Sequence, residues 1–494
     1  MIGAGVFNDI PAQLRIPGVY IEFDNRLAGS AVFMGKLLFL GQKLDTGKKD
    51  AHSLDRVTNA EQAERYYGRG SMLAEMIRHA KDVDPYLETW AIPLNDDEAG
   101  VKASGVLEIT NEPTETRPLA LYIAGYRVRV PVEATDTPED VAEAIVEAIG
   151  DEDRMPVTAE VDGTDAYKVN LECRWAGETG NDIDIRISAR GEERPEGLKI
   201  GISEMSGGAA NPEIDDAIAA MGDEWWNWIA LPYTDSHNLE QITDELEDRF
   251  GPMIQKGGRA FAAYRGTHSE TGTFGGDNNS PHLTVMGTNK SPSPTWIWTA
   301  VNAITAADSL SNDPARPLQR LSLRGIMPPR EEDRWEDYER NLLLYDGIAT
   351  FTVQDDGTVQ IERQITTYQQ SPAGVPDDSY LDINIPETLE RIRYEQRSLF
   401  LRKYPRHKLA DDASREFYSP SQPIMTPKVA KAELLRLYKE TFMGTRGWVQ
   451  DYEGYADSLQ VNVDPDDPTR LNTIDSPRLI GQYRIHAQQV QFRR

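Results

Sequence analysis

Alternation of apolar and polar positions is clearest over Leu342–Tyr368, LLLYDGIATFTVQDDGTVQIERQITTY. Two β-branched runs flank Asp355-Asp356-Gly357, the mark of a β-hairpin. A two-residue loop at Asp356-Gly357 sets Val353 opposite Gln360, apolar against polar. A three-residue loop sets Val353 opposite Val359 and Phe351 opposite Ile361, and one face becomes uniformly apolar. A slip of one residue turns that whole set outward, so the three-residue loop is predicted, with Gly357 in the left-handed region. Ile365 lies farther along the second strand. A lone hairpin is marginal in water, so this one is expected to need strands from elsewhere.

The same period of two recurs at both ends. Val19, Ile21 and Phe23 alternate with Tyr20, Glu22 and Asp24 behind the Pro17-Gly18 turn. That pattern fits an edge strand of its own domain and a strand on an arm equally well. Near the other end Tyr483, Ile485 and Ala487 alternate, and Val490 and Phe492 alternate after a one-residue shift that suggests a bulge.

Between them the period changes with region. Lys36–Gly41 is a short apolar run of the buried-strand kind. A helix opens at the capping spacing Thr58-Asn59-Ala60-Glu61 and is broken near Gly68–Gly70, and YLETWAIPL follows as a strand. From about 96 to 212 the texture becomes short alternating strands around one helix, TPEDVAEAIVEAIG. In that helix Thr137 is the predicted N-cap and Pro138 the first position, with Val141, Ile145, Ala148 and Ile149 as the buried stripe. Strand-helix order then resumes through WWNWIALPYTD, Leu239–Phe250, RAFAAYRGT, LTVMGT, Thr299–Ala307 and LQRLSLRGI. After Pro328-Pro329 come the hairpin, a helix from about Glu387 to Lys403, a helix opened by Thr426-Pro427, and a short strand at Leu459–Val463. The predicted organisation is an N-terminal arm (1–28), an α/β domain in two pieces (29–95 and 213–330), and an inserted α+β module (96–212). An α+β C-terminal domain (331–480) and a strand arm (481–494) complete it.

Composition narrows the function classes. No run approaches 18 apolar residues, and MIGAGVFNDIPAQL has neither basic leader nor long apolar core, so no membrane span and no signal peptide are expected. Cys173 is the sole cysteine, which rules out an internal disulfide and Cys-rich zinc sites and fits a reducing compartment. With 52 basic against 81 acidic residues the net charge is −29, which opposes nonspecific binding to nucleic acid. From Arg470 onward five arginines face one acid, Asp475; this +4 tail reads either as drawn to a neighbouring acidic body or as a fluctuation.

Catalytic chemistry was sought at each plausible spot. GQKLDTGKK at Gly41–Lys49 has five residues between its glycines, and no Ser or Thr follows Lys49, so it is no phosphate loop. None of the seven histidines lies three or four residues from another, and no helical metal pair exists. Asp235-Ser236-His237 contains triad residue types, but neighbours in sequence cannot converge as a triad, and no G-x-S-x-G elbow nominates a serine. The acidic pairs Asp377-Asp378, Asp411-Asp412 and Asp466-Asp467 fit turns, and Trp225, Trp226 and Trp228 fit core packing. KYPRHKLADD at Lys403–Asp412 is the densest basic spot, suited to an acidic partner or to a solvated loop.

Six ordered stretches carry a family likeness: Pro17-Gly18-Val19-Tyr20, PYTD at Pro232–Asp235, NDPARPLQ at Asn312–Gln319, ERNLLLYDGIAT at Glu339–Thr350, QITTY at Gln364–Tyr368, and YPRHKLADD at Tyr404–Asp412. Together they resemble the tail sheath proteins of contractile-tailed bacteriophages, especially the Mu-like ones. The resemblance implies a subtilisin-like layered α/β fold and a structural subunit with no catalytic residue, cofactor or metal. The partners it implies are further copies in stacked hexameric rings, the tail tube, and baseplate and terminator proteins; the place is the virion tail, after assembly in the host cytoplasm. It further implies that arms lend strands to neighbours: Val19, Tyr20, Ile21, Glu22 and Phe23 from one end, and Tyr483, Ile485, Ala487, Val490 and Phe492 from the other. The implied receiver is the hairpin bearing Phe351, Val353, Val359, Ile361 and Ile365. Two rival readings are a carbohydrate-binding tail protein acting through 96–212 and a serine hydrolase on the same scaffold.

Overall fold

A computed structural model describes residues 35–419 and 421–493. The predicted N-terminal strand Val19–Phe23 lies outside them. An eight-stranded sheet organises the body. Its order is Val359–Arg363, Ile348–Val353, Leu283–Gly287, Arg259–Tyr264, Trp228–Ala230, Lys36–Gln42, Glu88–Leu94 and Asp55–Val57. The run from Ile348–Val353 to Glu88–Leu94 pairs in parallel, and an antiparallel strand closes each edge. Leu37, Leu38, Phe39 and Leu40 are all fully buried, which is why that strand is a continuous apolar run without alternation: a central parallel strand is covered on both faces.

Helix ends follow local chemistry. The first helix, Ala60–Tyr67, is capped by Asn59, whose side chain accepts from the Gln62 N–H. The cap is therefore one residue later than the Thr58 spacing suggests, and Thr58 instead bonds the Gln62 side chain. The break before Met72–Val83 falls at Gly68 and Gly70, both with positive φ. Thr295–Asn312 is buried almost all round and packs on the sheet and on Met72–Val83.

Residues 96–212 form their own sheets: a four-stranded one in the order Lys199–Ser206, Lys102–Asn111, Lys168–Ala176, Val157–Val161, and a three-stranded one with Leu119–Ile123 at its centre. Helix Pro138–Gly150 has the predicted Thr137 cap, and the Thr137 N–H in turn donates to the Asp140 carboxylate. Polar pins join this module to the body. Gln42 donates to Asp96 (2.7 Å) and to the Ala176 carbonyl (2.6 Å), Thr295 donates to Asp182 (2.5 Å), and Arg265 pairs with Asp184 (3.0 Å). Trp175 meets Trp296 edge to face at 5.2 Å between centroids.

Two expectations about the C-terminal region need correction. The hairpin belongs to the main sheet, through the parallel pairs Val285↔Ile348 and Met286↔Ala349, and not to a separate domain starting at 331. The region beyond is mainly helical: the long helix Asn384–Lys403, then Pro427–Arg436 continuing as a wider π-helical stretch Leu437–Thr445, with two-stranded sheets of two to four residues per strand. Thr426 caps Pro427–Arg436 as predicted. This lobe has its own core, including Leu434, Tyr438, Phe442, Trp448 and Tyr455, with Tyr438 and Tyr455 stacked at 3.7 Å. The helix Asn384–Lys403 spans both units: Arg391 donates to the Ser311 carbonyl (2.8 Å) in the body, while Leu399 sits in the lobe core.

Candidate functional site

The hairpin has the register that the side chains demanded. Val353 faces Val359 and Phe351 faces Ile361. The Gln354 N–H donates to the Thr358 carbonyl (2.9 Å), closing a loop of three residues. Gly357 has φ +82; open space surrounds it, so its backbone angle and not crowding demands glycine. Phe351, Val359, Ile361 and Ile365 are buried, and Val353 is half-buried against the same core.

The premise that this hairpin lacks partners within its own chain does not hold. One strand borders Leu283–Gly287. The other accepts a hydrogen bond from Arg320 N–H to the Ile361 carbonyl (2.8 Å) and donates from Ile361 N–H to the Leu321 carbonyl (2.9 Å). Leu323 N–H adds a third, to the Val359 carbonyl (2.9 Å). Farther along, Ile365 bridges to Asp382. The segment LQRLSLRGI is thus the strand-like neighbour its pattern suggested, but along an edge that sequence could not assign.

The C-terminal segment is the opposite case. Arg478–Leu479 pairs antiparallel with Val449–Gln450, and Ile480 N–H donates to the Trp448 carbonyl (2.9 Å). Arg484 then folds inward onto Asp382 (3.0 Å), a carboxylate that also takes both arms of Arg363 at 3.0 Å each. A cleft of about 620 Å³ runs beside this anchor, bounded by Arg363, Asp382, Thr388, Trp448 and the segment itself. Past Arg484 the chain has no regular pairing through Arg493. Tyr483, Ile485, Val490 and Phe492 are 75, 83, 75 and 82% exposed, and Ala487 is exposed as well. Four large apolar side chains in so short a stretch, left uncovered among the described residues, are an unfilled packing requirement.

The candidate chemistry disperses. Asp235 caps helix Ser236–Phe250, accepting from the Asn238 N–H (3.0 Å) and from Asn211 (2.8 Å), while His237 turns outward 3.7 Å from Asp215. Asp235, Ser236 and His237 therefore form no relay. Lys49 is held by Asp55, away from any phosphate-binding role. Trp226 and Trp228 are buried in the core, and Trp225 donates to the Gly257 carbonyl (2.7 Å). Among the described residues, no helix is long and apolar enough to cross a membrane.

Comparison with known proteins agrees with this picture of surfaces in place of chemistry. Residues 207–367 match the model of the phage tail sheath protein central domain. The chain is 41% identical over 489 residues to the Mu-like prophage FluMu tail sheath protein of Haemophilus influenzae, covering 98% of this chain and 99% of that one. Among solved structures it is similar to a sheath tail protein from Desulfitobacterium hafniense (14% identity, 94% of this chain and 100% of that chain, TM-score 0.47). It is also similar to the anti-feeding prophage helical sheath in its contracted state (10% identity, 97% and 99%, TM-score 0.46).

Proposed function

The chain belongs to the phage tail sheath proteins, and from that membership we propose that it polymerises around a tail tube and contracts to drive the tube through a host envelope. It is a structural subunit and not an enzyme. In the proposal, copies stack as hexameric rings in the virion tail, meeting tube, baseplate and terminator proteins after assembly in the host cytoplasm. Its body then corresponds to a subtilisin-like layered sheet. No nucleic acid, membrane or cofactor takes part.

The observation that carries this reading is the exposed apolar row Tyr483, Ile485, Val490, Phe492 on an extended segment with an anchored root. A strand of this kind completes itself by adding to a sheet edge in another copy. Val19–Phe23 is proposed to do the same from the other end. Of the possible receivers, the hairpin of Phe351, Val353, Val359, Ile361 and Ile365 already has a neighbour on each edge. In the lobe's three two-stranded sheets no strand has a second neighbour among the described residues, and the pair Val449–Gln450 with Arg478–Leu479 is the one contiguous with the root of the C-terminal segment. The proposal therefore seats incoming strands on that pair. The two residues of such an edge offer a seated strand about two backbone hydrogen bonds at roughly 1 kcal/mol net apiece, so burial of alternate side chains supplies most of the gain. Such links persist while body-to-body contacts repack, so that contraction draws on energy stored in the lattice.

Negative-stain microscopy of purified full-length protein is expected to show rings or tubes. Removal of residues 485–494, which spares the Arg484 anchor, is expected to abolish them while leaving the melting temperature nearly unchanged. Tubes of normal appearance from the shortened chain would overturn the strand-lending reading.

A further inference from the structure

Two surfaces outside the arms are matched in shape of composition and opposite in charge. The first is the short helix Asp337–Tyr345 that leads into the hairpin. Tyr338, Leu342 and Tyr345 lie at i, i+4 and i+7, hence on one face, and all three are exposed, Tyr345 at 75%. Only Leu343, on the opposite side, is buried. From Glu331 to Tyr345 the chain holds six acids against Arg334 and Arg340, a net −4. Arg340 is engaged by Glu362 and Asp337, Asp333 by Lys290 and Glu332 by Arg330, which leaves Glu331, Glu336 and Glu339 without an ion pair among the described residues.

The second surface is the far end of the helix Asn384–Lys403 with the turn that follows. From Arg397 to Lys408 there are five cations and no acid. Lys403 is committed to Glu433, whereas Arg397, Arg402 and Arg406 make no ion pair among the described residues. Leu401, four residues from Arg397 and so on the same helical face, is 61% exposed.

We propose that the aromatic face of helix Asp337–Tyr345, with the acidic turn Glu331–Asp333 that precedes it, docks on the basic end of helix Asn384–Lys403 in a second copy of this chain. The inference rests on the sheath reading above and adds a contact distinct from strand lending. Different patches meet, so the contact is heterologous and propagates from copy to copy, as a ring or helix requires. Charge complementarity sets its register and excludes the like-charged pairings. Both faces sit on rigid helices, one on the body and one on the lobe, so each docked pair ties the body of one copy to the lobe of the next.

Charge reversal tests it. In full-length protein, Glu331→Lys with Glu332→Lys, or Arg402→Glu with Arg406→Glu, is expected to raise the concentration needed for assembly at least tenfold. Joining all four changes in one chain is expected to restore it. Cysteine pairing gives a second measure that does not depend on those variants folding well, since the native Cys173 is buried. Leu342→Cys and Leu401→Cys variants, mixed and mildly oxidised, are expected to yield a disulfide-linked dimer that neither yields alone. Wild-type protein that forms no rings or tubes would sink the sheath reading itself. Wild-type assembly with unaffected charge-reversed variants, or with no mixed disulfide, would overturn this contact alone.

Discussion

The body and the C-terminal lobe of this chain solve the burial problem differently. The body has one continuous core running from the eight-stranded sheet into the inserted module, and each edge of the hairpin finds a neighbour within the chain. The lobe has thirteen buried core residues, and its strands are two to four residues long. Short strands with open edges stabilise little by themselves. The body closes its main sheet with its own strands; each strand of the lobe has a single neighbour among the described residues.

The strongest test removes one aromatic from each core. Phe261→Ala in the middle of the main sheet should cost about 3–5 kcal/mol and lower the cooperative melting of the whole body. Phe442→Ala has a similar local cost. It should melt the lobe early and leave the body folded, seen as two transitions in calorimetry or as selective proteolysis beyond residue 384. One shared transition in Phe442→Ala would erase the distinction.

Acid should separate the two next, because their key carboxyls are shifted in opposite directions. In the lobe, partial burial opposes ionisation of Glu433, yet hydrogen bonds from Lys403, Tyr404 and Arg436 hold it down at about 2, from an ordinary 4.5. Its contribution is present above pH 4.5 and is lost as the pH falls toward 2. Glu433→Gln should destabilise the lobe at pH 7 and flatten that acid dependence, followed by circular dichroism.

In the body, burial pushes Asp182 up to about 6 from 3.8, against the Thr295 hydrogen bond and the charge of Arg265. A carboxyl shifted upward contributes fully below pH 3.8, and that contribution fades as the pH rises through 6. Asp182→Asn keeps an acceptor for Thr295 and should raise the melting temperature at pH 8 while changing little at pH 4. A melting temperature that falls at pH 8 would show that the charge is needed where the module meets the body.

The smallest effect compares caps. Thr137→Ala and Thr426→Ala each remove one side-chain cap and should cost about 1 kcal/mol in the helix concerned. The first should scarcely alter the body's melting, whereas the second should be visible in the less stable lobe.

What the sequence revealed follows the same divide. Local rules were sufficient for the hairpin register, the left-handed Gly357, the Thr137 and Thr426 caps, and the break at Gly68–Gly70. They could not say that Ile348–Val353 lies beside Leu283–Gly287, because parallel neighbours are chosen by packing across long stretches of chain. The pairing of Leu321 with Ile361 escaped for the same reason. In the lobe, two-residue strands such as Lys408–Leu409 are too short to show any alternation. The alternation at Tyr483–Phe492 marks the stretch whose apolar side chains stand exposed, but no strand forms there among the described residues. The exposed aromatic face of helix Asp337–Tyr345 was missed, since the run LLLY reads as core until one sees which side of the turn is covered.

The clamp of Arg484 on Asp382 fixes where the terminal leash begins. Eight residues run from Ile485 to the last apolar position, Phe492, which at full stretch reach about 26 Å. Under the proposed strand lending, the edge that receives these apolar side chains stays within that radius of Arg484 at every stage of shortening, so a single ion pair sets the pivot about which each added strand swings.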